Sequence, residues 1–180
     1  MHLTGAWILL LFSIGIVSLL LFLLHLTRLG VLVHDNIPDR PRRRMFLASV
    51  SFFLTFLGLR LLVWSITHRI GPFGWVTFGG RHIHHLVWGI LLLLAIGYAW
   101  LAELGSGSTP TDIFWSRLLA ILYGVAAALT LDEFALWLNL ANDYWSPEGR
   151  ESIDAVVLFG ALLAAGAWGA PLWRGLMRKH

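Results

Sequence analysis

Gly79-Gly80-Arg81-His82-Ile83-His84-His85 runs straight into the apolar stretch from Leu86 to Leu104, whose one charged residue is Glu103. An almost uncharged run of that length reads as a membrane helix. The histidines therefore sit at the mouth of a span: three of the protein's eight fall within four consecutive positions. Imidazoles gathered there need a partner, either a metal ion or carboxylates.

The rest of the chain has the same character. Of 180 residues, 58% are hydrophobic and 13% charged, and the mean hydropathy is +0.75. A soluble domain carries roughly a quarter of its residues as charges. Apolar runs of spanning length recur, which predicts an all-α, polytopic membrane helix bundle forming a single transmembrane domain over residues 1–180. Cysteine is absent, so disulfides, thiolate ligands and a cysteine nucleophile are excluded. Nothing points to nucleic acid; the expected partners are membrane lipids. The start, Met1-His2-Leu3-Thr4-Gly5, lacks a basic segment, so the first span is expected to be retained.

About five spans are expected: Ala6 to Thr27, Met45 to Thr67, Ile83 to Leu104, Ile113 to Leu140, and Ile153 to about Trp173. Between the first two, His34 to Arg44 contains two prolines and the densest run of arginines, and reads as a connection with its helices broken. Positive residues favour the cytoplasm. That loop and the tail Arg174, Arg178 and Lys179 both belong there, giving an N-terminus outside and a C-terminus inside, in a multi-pass protein of the cell membrane. The arginine cluster reads first as a topology signal and second as an anionic-lipid site. Gly105 to Asp112 reads as a flexible linker in which Thr111 or Asp112 caps the fourth helix.

With this topology the ionisable residues converge on the extracytoplasmic leaflet. His82, His84 and His85 open the third span; Asp132 and Glu133 lie in the outward half of the fourth; Asp154 opens the fifth; Arg60 lies in the outer half of the second. At about 1.5 Å per residue, Asp132 lies ~9 Å below Leu138 and Arg60 ~12 Å below His68, depths similar enough for an ion pair. Charges at such depth usually face a bundle interior or a wet cavity and mark function. On a regular helix His82 and His85 share a face and His84 points away.

Two imidazoles with carboxylates suit a divalent metal, zinc first, then manganese or iron. The candidate ligands are His82, His84, His85, Asp132, Glu133 and Asp154. An open position could activate water, with Glu133 or Asp132 as general base and Arg60 as an anion-holding catalytic group. Tyr144 and Arg150, in the polar loop Asn139 to Ser152, are the candidates for contacting a lipid-like substrate. In the same loop, Ser146-Pro147-Glu148 has the form of a helix start with a first-turn proline.

Gly-Gly-Arg-His-Ile-His-His, then Leu-Asp-Glu-Phe-Ala-Leu-Trp-Leu, then Asp-Tyr-Trp before Gly-Arg-Glu-Ser-Ile-Asp-Ala, resembles a group of bacterial five-span integral membrane proteins with a His-x-His-His cluster. The likeness runs from the third span to the start of the fifth and implies no activity. A looser similarity of logic links the site to membrane zinc hydrolases of the alkaline-ceramidase and adiponectin-receptor type. Their His-x-x-x-His pair near the C-terminus is missing from this sequence. Membrane desaturases need several histidine boxes on the cytoplasmic face, and a single outward cluster excludes them.

Three functions compete on this reading. The first is a metal-dependent membrane hydrolase acting on a lipid-like or amphiphilic substrate at the outer leaflet. The second is a non-enzymatic protein that binds or passes a metal ion or a proton with the same residues. The third is a haem-binding span using His68 and one clustered histidine.

Overall fold

The computed structural model describes residues 4–70, 77–78, 81–82, 85–133 and 147–177, with side chains placed over 10–70, 85–133 and 157–177 except 159, 163 and 176. Within them lie the helices α1 (Thr4–Leu26), α2 (Arg28–Asn36), α3 (Arg40–Thr67), α4 (His85–Leu101), α5 (Pro110–Leu131) and α6 (Pro147–Met177). Two short strands, β1 (Thr77–Phe78) and β2 (Arg81–His82), pair antiparallel with Thr77 opposite His82. The protein is helical, and α3 and α5 are long and apolar enough to cross a membrane. The pair α1 and α2 supplies a third such element if the two count as one bent span, while α4 is apolar but shorter.

The segment expected to break between the first two spans is largely helical. Thr27 ends α1 and caps α2, its Oγ1 donating to Leu23 O and accepting from Leu29 N at 3.1 Å. The chain bends by 79° there. Asp39 caps α3 by accepting from Arg42 N at 3.0 Å, with Pro41 in the first turn, where a missing N–H costs nothing. A proline taken for a breaker therefore starts a helix, and Arg40, Arg42, Arg43 and Arg44 form its first turns. The cap of α5 also differs from expectation. Thr109 is the cap, accepting from Asp112 N at 3.2 Å while Asp112 accepts from Thr109 N at 3.1 Å. Pro110 fixes the first helical φ, so the cap falls one residue before it. The expected fourth span corresponds to α5 only as far as Leu131; positions 134–140 lie outside the described residues.

Helix α5 is the centre of the bundle. It packs along α3 and α4 and also touches α1, while α3 additionally carries α6. Small residues allow this. A Cβ on Gly124 would run into Ser51 Oγ and Ala48 O and stand 2.7 Å from Phe52 N, so α3 and α5 meet backbone to backbone. Ser51 Oγ crosses the contact to donate to Ile121 O at 3.0 Å. Ile121, Val125 and Leu129 fill the space around this contact, with Leu59 of α3 beside the last two.

The distribution of polarity is inverted relative to a water-soluble protein. Arg43, Ser51, Thr55, Ser116, Thr130, Asp132 and Glu133 are buried, whereas Leu94, Tyr98 and Leu101 are 66%, 76% and 82% exposed. One internal proline also needs a partner. Pro171 in α6 has no N–H to give Ala167 O, the carbonyl four residues back. Arg42 supplies the missing donor, its Nη2 reaching Ala167 O at 3.2 Å and its Nε reaching Trp168 O at 3.3 Å.

Candidate functional site

Two helix ends and one helix flank meet at the end of the bundle where α4 begins and α5 stops. A new helix presents N–H groups without partners, and a finished one presents bare carbonyls. Acids suit the first and cations the second. Glu133, just past the end of α5, answers the N–H surplus: its Oε2 accepts from Leu86 N at 3.1 Å. Arg60 of α3 answers the carbonyl surplus, its Nη2 donating to Asp132 O at 3.2 Å. The same nitrogen forms an ion pair with Asp132 Oδ1. Phe56, one turn below Arg60, places its ring 5.5 Å from the guanidinium carbon, within range of a cation–π attraction.

His85 completes the cluster. Its Nε2 lies 2.8 Å from Asp132 Oδ2, and its Nδ1 lies 3.4 Å from Glu133 Oε1. Both ring nitrogens thus face carboxylates. The acids are withdrawn from solvent, with side-chain exposures of 0% for Asp132 and 5% for Glu133, against 13% for Arg60 and 15% for His85. Gly89, one turn further along α4, sets this geometry. A Cβ there would collide with Thr130 Oγ1 and stand 2.8 Å from Ala126 O and Thr130 N. The close seat of α4 on α5 brings His85 level with the residues that follow Leu131. Thr130 Oγ1 itself donates to Ala126 O at 2.9 Å.

Of the predicted site residues, the structure brings together Arg60, His85, Asp132 and Glu133. It changes one expected relationship. Helix α4 starts at His85 and His82 belongs to β2, so the two are not a turn apart on one helix; the ladder with Thr77 holds His82 extended instead. His84 and Tyr144 lie outside the described residues, as do the side chains of His82, Arg150 and Asp154, although Arg150 and Asp154 belong to α6. Three contributors had little or no sequence signal: the Leu86 amide, the Thr130 hydroxyl and the Phe56 ring. Gly89 had one, a glycine one turn into a helix of large apolar residues.

Among the described residues, no three histidine, aspartate or glutamate side chains are placed to hold a metal ion. The donor atoms of this cluster face one another. Among the described residues, the arrangement sets a buried pair of carboxylates against the Arg60 guanidinium and the His85 imidazole. No family model matches the chain, and the comparisons with curated proteins and with solved structures give no match either.

Proposed function

We propose that the chain is a five-span membrane protein, N-terminus outside and C-terminus inside, whose extracytoplasmic cluster takes up and releases a proton as part of a non-enzymatic binding or transport function. The observation that carries this is the seat of His85, with one carboxylate at each ring nitrogen. Arg60 pairs with Asp132, and both acids lie against His85. An imidazolium at His85 places a positive charge between two buried carboxylates, and a neutral ring withdraws it. Protonation of His85 is thus tied to the contact between α4 and α5. Histidine is the side chain suited to changing charge between about pH 5 and 8. Among the described residues, the groups facing it are Asp132 and Glu133 at the end of α5, with Arg60 of α3 paired to Asp132 behind them.

Five spans follow from adding α4 and α6 to the three elements of spanning length. The orientation rests on Arg40, Arg42, Arg43 and Arg44 at the start of α3, at the end of the bundle opposite His85, and on the basic residues of the C-terminal sequence.

The test is a potentiometric titration of the purified, untagged protein against His85→Gln. The wild type is expected to take up more protons than the variant on acidification. Equal uptake would remove His85 from any proton function.

A metal-dependent hydrolase for a lipid-like substrate is the second reading. It draws on an imidazole with one carboxylate oxygen 2.8 Å and another 3.4 Å from its ring nitrogens, all of them ligand types suited to zinc. It requires His85 to exchange a carboxylate for the metal. Elemental analysis of protein purified without chelator distinguishes the two: stoichiometric zinc, manganese or iron that disappears in His85→Ala favours the hydrolase.

A further inference from the structure

The arginines at the opposite end of the bundle pose a different problem. Arg44 Nη2 donates to Gly105 O at 2.7 Å and its Nε to Ser116 Oγ at 2.8 Å, while Arg40 Nη1 donates to the adjacent Ser106 O. Arg43 Nη1 reaches Ile37 O at 2.9 Å. Arg117, on α5, reaches Leu24 O at 3.2 Å, a carbonyl bared by the bend between α1 and α2. These partners are carbonyls and a hydroxyl, and among the described residues none is a carboxylate. Carbonyl dipoles orient a guanidinium without cancelling its charge.

The cations are also close enough to act on one another. Arg43, which is buried, meets the like charges of Arg117, Arg40 and Arg44, against one opposing carboxylate, Asp39. Asp39 acts on Arg43 and Asp112 on Arg40. Among the described residues, the four cations Arg40, Arg43, Arg44 and Arg117 thus meet these two carboxylates, and the group has positive charge in excess. Apolar side chains are exposed around it: Leu26 at 73%, Leu29 at 40%, Val31 at 59% and Met45 at 43%. A free anion has no use for those neighbours, but an acyl chain does.

We propose that Arg40, Arg43, Arg44 and Arg117 bind the phosphate group of an anionic phospholipid whose chains lie along Leu26, Leu29 and Met45. A guanidinium has donors beyond those spent on carbonyls, and its planar fork matches phosphate oxygens. The packing of α3 on α5 brings Arg117 near Arg43, and the bend at Thr27 leaves Leu24 O for Arg117 to take. The inference rests on the membrane placement proposed above and is independent of any proton at His85.

The experiment is thermal unfolding of the full chain in a neutral detergent with added phosphatidylglycerol, phosphatidylcholine or inorganic phosphate at matched ionic strength. Phosphatidylglycerol is expected to raise the melting temperature by about 5 °C or more, with little effect from the other two. In Arg40→Gln/Arg44→Gln that rise is expected to disappear. In Arg42→Gln, which loses only its α6 carbonyls, the baseline falls and the rise remains. If the double variant does not fold, native mass spectrometry of the wild type decides: retained phosphatidylglycerol in preference to phosphatidylcholine supports the site. Equal effects of the two lipids, or retention of neither, overturn it, and an equal effect of inorganic phosphate overturns the lipid assignment.

Discussion

Replacing Arg60 by leucine tests whether the cluster is one electrostatic unit. The substitution removes the ion pair to Asp132 Oδ1 and the bond to Asp132 O, and takes the cation off the Phe56 ring. Asp132 keeps its full burial and its 2.8 Å contact with His85. Breaking a buried pair by deleting one member costs about 3–5 kcal/mol, because the other charge is left behind. The lower end applies, since Arg60 is 13% exposed and His85 still faces the acid. For a chain of this size about 3 kcal/mol lowers the melting temperature by about 6–12 °C. Removing the stranded acid as well, in Arg60→Leu/Asp132→Leu, should recover much of that loss, because an apolar pair can replace a buried ion pair at little cost. The assay is a double-mutant cycle by thermal unfolding in detergent. A coupling energy within about 0.5 kcal/mol of zero would mean that the two residues do not act together, and the reasoning would fail.

Other consequences can be measured on the same material. Gly89→Val should force α4 away from Thr130 and cost about 1–3 kcal/mol or more; a melting temperature equal to wild type would show that the close seat is not what positions His85. Thr109→Ala should cost about 1 kcal/mol through the lost capping box, and no change on thermal unfolding would mean that the start of α5 is held by Pro110 alone. Reporters fused at Met1 and after His180 should report the extracytoplasmic and cytoplasmic sides; the same side for both would show that a span is miscounted.

Much of this arrangement is legible in the sequence, and what is not has physical causes. Apolar run length marks α1, α3, α4 and α5, since a membrane helix must be continuous and greasy. Helical rise alone predicts that Arg60 and Asp132 lie at like depth, and the structure places them in contact. Helix ends are less legible, because capping depends on where a proline falls: Pro41 and Pro110 begin α3 and α5 rather than interrupting them. The face-sharing of His82 and His85 presumes a helix that starts three residues too early, and β2 pairing takes His82 instead. The chain shows acids near a histidine, but it does not show that Glu133 satisfies Leu86 N or that Arg60 satisfies Asp132 O. Backbone donors and acceptors carry no letter in a sequence.

The Arg42 clamp on α6 bears on how the chain is assembled during synthesis. Pro171 cannot donate to Ala167 O, and in the five-span arrangement proposed above a bare carbonyl at that point is costly. Arg42 lies far earlier in the chain, so its donors are in place before α6 emerges. The last helix can then exchange a wet carbonyl for a guanidinium as it enters, rather than entering alone. Chains truncated after α5 should leave Arg42 without this partner, and chains lacking Arg42 should hold α6 loosely at its proline. In the order of biogenesis, the second long helix acts as a receptor for the last one.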